Sequence, residues 1–240
     1  MIDWLKSGAT DPDIELNGCR VPIAVRRHSR AKRLTLRLAP DGQEVRITLP
    51  RWARSAEAIA FAHARADWLA AQHARIPKRE APRPGGTINY RGTARRIEWD
   101  AAYPRTPTLA EGAVRLGGSC ESIEPRLRRW LEGQIMPLLT ADIDDYADAA
   151  NLPRVPVAIS RALKRWGSCS QGGRIRINWR LIQAPDFVRR SVVAHEIAHL
   201  VHFDHSPQFH ALLQSIYEDD IAIADRWLKE QGRSLYATFG

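Results

Sequence analysis

Apolar and polar residues alternate in several short stretches of the first half of the chain. Leu34, Leu36 and Leu38 alternate with Arg33, Thr35 and Arg37, and Val45, Ile47 and Leu49 alternate with Arg46 and Thr48. A period of two puts one set of side chains on each face of a strand, so this pair predicts a hairpin with one apolar and one basic face, turning at Pro40-Asp41-Gly42. Upstream, residues 14–16 and 21–25 flank Asn17-Gly18, the dipeptide of a two-residue hairpin turn. Pro50 ends the strand pattern. Ser55 is the expected cap of an alanine-rich helix over 57–72, with Ile59, Ala62, Ala66 and Leu69 as its buried stripe. Three prolines and two glycines break the chain at 77–86. Residues 87–90 and 93–99 then predict a hairpin around Arg91-Gly92. Residues 110–112 turn a shorter pair that ends at 114–116, and Gly117-Gly118-Ser119 makes a second break.

From Ser122 the period changes. Ile123, Leu127, Trp130, Leu131, Ile135, Leu138 and Leu139 recur at helical spacing, and Ile143 and Tyr146 continue it. Pro137 either kinks this helix or is absorbed in it. Residues 155–159 and 174–179 predict strands, with Gly172-Gly173 as the turn before the second. Ala184-Pro185-Asp186 opens another helix. Ser206-Pro207 is a cap followed by a first-turn proline for the next, and a last helix covers roughly 219–231. No internal repeat shows in the residues. The pattern predicts an α+β chain of two domains. Residues 1–118 form an antiparallel, β-rich and basic domain with one helix, and residues 119–240 form a second α+β domain.

The helix opened at 184–186 carries His195-Glu196-Ile197-Ala198-His199. Positions i and i+4 share a helix face, so His195 and His199 can address one metal ion, with Glu196 beside them to polarise a bound water. His202 continues that face, but seven residues of helix is ~10.5 Å of rise, too far for His195 and His202 to share an ion. His205 reaches back only if the helix ends near 201–203, and the new helix start at Ser206-Pro207 argues for such an end. Three histidines leave a fourth position for water, as a catalytic zinc site requires. Five of the eight histidines lie between 195 and 210, which an ordinary amphipathic helix does not explain. The spacing H-E-x-x-H-x5-H is similar to that of metzincins, which have glycine where this chain has His202. A third ligand from Glu218, Asp219 or Asp220 is the competing arrangement. Arg165, His202 and Tyr217 are candidates for stabilising an oxyanion.

Charge is uneven. Residues 1–100 carry 19 Lys+Arg against 11 Asp+Glu, and residues 101–240 carry 17 against 16. The basic character therefore belongs to the first part, where a solvated surface or an anionic partner such as nucleic acid would account for it. Cys19, Cys120 and Cys169 are far apart and odd in number, which excludes a disulfide framework and favours a reducing compartment. Cys169 reads as a buried thiol. No stretch has the length and apolarity of a membrane span, and the N-terminus has no signal-peptide pattern.

The runs Arg165-Trp166-Gly167-Ser168-Cys169-Ser170, Ile177-Asn178-Trp179-Arg180-Leu181-Ile182, Ala184-Pro185, His195 to Leu200 and His205-Ser206-Pro207-Gln208-Phe209 resemble those of the YgjP-like metallopeptidases, relatives of the SprT-like proteases. Arg30-Ala31-Lys32-Arg33 and Leu49-Pro50 look like that family's opening. The resemblance implies a zincin-like fold for the second domain. It also implies Zn2+ on His195, His199 and His205, Glu196 as base, and a cytoplasmic protein. Two positions depart from the family: Asp204 stands where asparagine is common, and His210 where tryptophan is. Asp204 is a candidate for orienting a ligand. The expected function is a zinc metallopeptidase acting on protein or peptide substrates, with nucleic-acid-associated proteins among those expected. Some members of the family are described as nucleotide pyrophosphatases, so a metal-dependent nucleotide hydrolase, with arginines such as Arg165 and Arg176 on the phosphates, is the alternative.

Overall fold

The computed structural model describes residues 12–39, 42–76 and 80–239. It falls into two compact units, Met1–Lys78 and Arg79–Gly240. Residues 1–11, Pro40 and Asp41 of the predicted turn, and the start of the proline-rich break lie outside the described residues.

In the first unit, β1 (Asp13–Leu16) and β2 (Cys19–Arg27) form the expected hairpin. Its turn needs two left-handed residues, and Asn17 and Gly18 supply them with φ of 52° and 79°. β3 (Thr35–Leu38) and β4 (Val45–Leu49) form the second hairpin, and β4 also lies parallel to β2, giving the order β1-β2-β4-β3. The alternating side chains behave as their period requires: Val45, Ile47 and Leu49 are buried and Arg46 is exposed. The predicted single helix is two, α1 (Ser55–His63) and α2 (Ala66–Ala74). Arg65, at φ −113° and ψ 19°, breaks them. The alanine-rich segment contains no glycine or proline to mark that break. Ser55 is the first helical residue and Arg54 occupies the cap position. Ala58, Ala62 and Leu69 are buried against Ile14, Leu16, Val21 and Ile23, while Ile59 is only partly buried.

In the second unit, β5 (Thr87–Tyr90), β6 (Thr93–Trp99), β7 (Thr108–Ala110) and β8 (Ala113–Leu116) form a sheet of order β5-β6-β8-β7, with β6 and β8 parallel. This is the strand order of the first sheet. Arg91 and Gly92, at φ of 49° and 76°, repeat the Asn17-Gly18 turn. A repeat is therefore present in the pairing and concealed in the side chains.

α3 (Ile123–Ala149) follows as one helix with Pro137 inside it. β9 (Val157–Ser160), β10 (Gly167–Cys169) and β11 (Ile175–Asn178) make a three-stranded sheet of order β10-β11-β9. β10 was not foreseen: three residues, Gly-Ser-Cys, are too short and polar for a period-two signal. The chain ends with α4 (Asp186–Val201), α5 (Pro207–Ile216) and α6 (Ile221–Gln231).

The units do not divide at the glycine pair expected to end the first domain at 118. Ile88, Ile97, Val114 and Leu116 lie in one core with Leu127 and Leu131 of α3 and Val193 and Ile197 of α4. Gly117 is a close approach and not a linker: a Cβ there would stand 2.0 Å from the Tyr103 carbonyl oxygen. Arg126 donates to the carbonyls of Gly117, Ser119 and Arg105, which fixes the segment. The β5–β6 turn also props the start of α4. Arg91 and Gly92 donate their amides to the carbonyls of Ile182 and Gln183 at 2.7 and 3.2 Å, and Gly92 lies so close to Pro185 that a Cβ would come within 2.9 Å of it.

Candidate metal centre

α4 presents the histidines because its other face is fully committed. Val188, Val192, Val193, Ala194, Ile197 and Ala198 are buried in the core. Its polar anchor is a buried ion pair to α3, in which Arg189 donates to Asp142 at 2.7 Å. Arg189 and Arg91 both pair with Asp186 in the first turn. Burial raises the Asp186 carboxyl, but hydrogen bonds from Arg91 and Arg189 outweigh it and hold the group below the ordinary range.

The helix stops at Val201. His202 is extended, with φ −126° and ψ 106°, so no left-handed residue and no glycine is needed at this position. The exit turns the chain back. The His202 carbonyl lies 3.0 Å from His199 Nδ1, and Ser206 then caps α5 by accepting from the Phe209 amide. In this geometry Nδ1–H of His199 donates to that carbonyl, which leaves the Nε2 lone pair for a metal.

The result is convergence. His195 Nε2 lies 3.1 Å from His199 Nε2 and 3.4 Å from His205 Nε2, and the ligand atoms of all three histidines fall within 4.8 Å of one another. Three nitrogens at ~2.05 Å from one tetrahedral ion stand about 3.3 Å apart, so the donor set fits a zinc-sized divalent cation. Burial, with the neighbouring His199, His205 and His210, pulls the His195 imidazole down to about 4 and keeps it neutral and able to ligate. Phe209, wholly buried, forms a floor under the cluster, its ring centroid 5.0, 4.6 and 4.9 Å from those of His195, His199 and His205.

Glu196 lies under β10. It is only 6% exposed, and burial pushes its carboxyl up to about 7 against the pull of Arg165 and of the Cys169 amide that donates to it. A cation held by the adjacent histidines acts in the same direction as Arg165. The contact leaves no room for a side chain at Gly167, where a Cβ would meet Glu196 Oε1 at 2.3 Å. The strand pairing explains how β10 reaches the carboxylate. Trp166 and Ser170 bond to Asn178 and Arg174 on the β11 side, so the alternate residues Gly167 and Cys169 turn their peptide groups outward, toward Glu196. Asn178, wholly buried, ties the approach to β10 by donating to the carbonyls of Ala162 and Arg165 at 2.7 and 3.2 Å. Gly167, Asn178 and Phe209 had no motif-level signal of their own beyond the runs that resemble the family.

The remaining candidates separate. Among the described residues the three histidines alone group as possible ligands. Glu218 accepts from Arg190 and Tyr146, and Asp220 caps α6. Tyr217 donates to the Phe187 carbonyl at 2.8 Å in the core. Asp204 accepts from the Ser206 amide and orients no histidine. Arg165 is exposed and acts electrostatically on Glu196. Cys169 is half-buried and not buried, and all three cysteines are free thiols.

A model of the YgjP-like metallopeptidase domain matches residues 32–231. The chain belongs to the YgjP-like metallopeptidase family. The match begins in β3's approach and ends with α6, so this YgjP-like protein carries the family domain across both units. A solved structure, the metallopeptidase zymogen of Pyrococcus abyssi abylysin, is similar over 40% of this chain and 96% of its own, with 19% identity and a TM-score of 0.36. No curated protein matches the chain. The fold is mixed α+β, and no described helix of this YgjP-like protein is long and apolar enough to cross a membrane.

Proposed function

We propose that this metallopeptidase is a zinc enzyme in which His195, His199 and His205 hold the ion and Glu196 is the general base. The observation that carries the reading is the convergence of three Nε2 atoms beside a buried carboxylate on the same helix. Zinc, when bound, supplies Lewis acidity that acidifies a water and polarises a carbonyl. Glu196 would hold a proton on its carboxylate and pass it from the attacking water to the departing amine. The outward peptide groups of Gly167 and the Cys169 carbonyl offer an extended peptide a strand edge beside Glu196. Arg165 pulls electrostatically on this carboxylate. Peptide substrates follow from the family; the nucleotide alternative has no separate observation in its favour. We further infer that the substrates are proteins associated with nucleic acid, a reading that rests on the basic first unit.

The test is Glu196→Gln, measured for cleavage of an unfolded protein substrate and for bound metal. Cleavage is expected to fall to background with one zinc per chain retained. Persistent turnover in this variant overturns the assignment of the base.

A further inference from the structure

The first unit carries a second surface, remote in sequence from the histidines. β2 and β4 run parallel with Arg27 opposite Leu49, and β3 starts beside them with Thr35 opposite Thr48. The 28–34 and 50–54 loops therefore leave the same end of one sheet. Arg26, Arg30, Lys32, Arg33, Arg51 and Arg54 are all exposed there. Among the described residues none of the six forms an ion pair. Glu57 is the acid nearest to the 50–54 loop in the chain, and its carboxylate is turned to the Arg54 amide.

Between Arg51 and Arg54 stands Trp52, 78% exposed. Its backbone is not slack. The Arg27 guanidinium donates to the carbonyls of Arg51 and Ala53 and to Ser55 Oγ, and Ala53 packs its side chain into the core. An indole is thus held out in water on a fixed loop, with exposed arginines before and after it in the chain.

We propose that this end of the N-terminal sheet binds single-stranded nucleic acid, with phosphates on the six cations and an unpaired base stacked on Trp52. The chemistry distinguishes this partner from others that share the charge. An acidic peptide satisfies the cations and leaves the ring without a flat partner. A duplex hides the faces of its bases, whereas a single strand offers one at every nucleotide. An anionic membrane calls for an apolar helix face, and Trp52 is a single ring on a loop. The inference deepens the nucleic-acid part of the proposed function and uses nothing from the metal site, so the two can fail separately.

The experiment is fluorescence anisotropy of a labelled twenty-nucleotide oligo-dT with the full-length protein, over a series of salt concentrations. Wild type is expected to bind with an affinity that falls steeply with salt. Trp52→Ala should weaken binding by about tenfold with little change in salt slope, and Trp52→Tyr should recover most of the loss. Arg30→Ala with Arg33→Ala should lower the slope by about 1.4, from two lost phosphate contacts at ~0.7 each. All variants should retain wild-type peptide cleavage, since none replaces a residue of the proposed metal site. Unchanged affinity in Trp52→Ala, or equal affinity for duplex or for polyglutamate of similar length, overturns the proposal. Specific oligo-dT binding by a protein that cleaves no peptide supports it while the peptidase reading falls.

Discussion

Single atoms decide how the carboxylate of Glu196 is held. Gly167 is glycine because a methyl group there would overlap Oε1, and the overlap cannot be relieved without moving the carboxylate or the strand. Gly167→Ala is expected to lower kcat by about 100-fold, the cost of roughly 1 Å of misplacement, with metal content unchanged. A variant that keeps full kcat would show that Glu196 has freedom the packing denies it. Residue identity made part of this legible in advance. His195, His199 and Glu196 follow from helical spacing alone. His205 required an inference about where the helix ends, and His202 supplies that end by going extended while its carbonyl orients His199. Gly167 was not legible as a site residue because its role is a contact with Glu196 on a separate segment, and Phe209 because a lone apolar ring on a helix signals packing alone. Spacing rules are silent on such contacts.

At the scale of elements, α4 is positioned by charge at one end and packing along its length. Asp186 in its first turn receives Arg91 from the β5–β6 turn and Arg189 from α4 itself, and Arg189 continues to Asp142 on α3. The Asp186 carboxyl titrates lower in the folded chain than in the unfolded one. Its contribution to stability is therefore present above the unfolded value of about 3.9 and is lost as pH falls through the lower folded value. Acid denaturation should show this limb, and Asp186→Asn should flatten it while lowering stability at neutral pH; superimposable acid curves would remove Asp186 from the anchor. Strong local signals gave the hairpins at Asn17-Gly18 and Arg91-Gly92 and the helix starting at Ser206-Pro207. The weak ones failed. The division of α1 from α2 has no breaker residue, and β10 exists only because β11 and α4 hold it from either side.

Across the whole molecule, two cores share one chain. Residues 14–69 supply one and residues 88–239 the other, with no residue in common. The first division proposed from sequence placed β5–β8 with the N-terminal strands, since both are strand-rich and interrupted by glycine. Burial decides otherwise, because the apolar residues of β5, β6 and β8 lie in one core with those of α3 and α4. Two cores predict two unfolding transitions. Calorimetry before and after removal of metal with a chelator should shift the transition of the 79–240 unit downward and leave the other in place. A single transition that moves as a whole would show that the units unfold together. The uneven charge was visible from the start, but its concentration at one end of the first sheet depends on strand order, which composition does not contain.

The strand order shared by β1-β2-β4-β3 and β5-β6-β8-β7 has its own bearing on how this protein can change over generations. One chain holds two copies of a single four-strand scaffold, each followed by a helix. The copy next to α4 is bound to the chemistry, since its turn supports the helix that carries the histidines. The other supplies none of the proposed ligands and not the proposed base. Its rim can accept new side chains at little risk to catalysis, so variation in what the protein is brought to should accumulate in the first scaffold, while variation in what it does to a substrate is confined to the second.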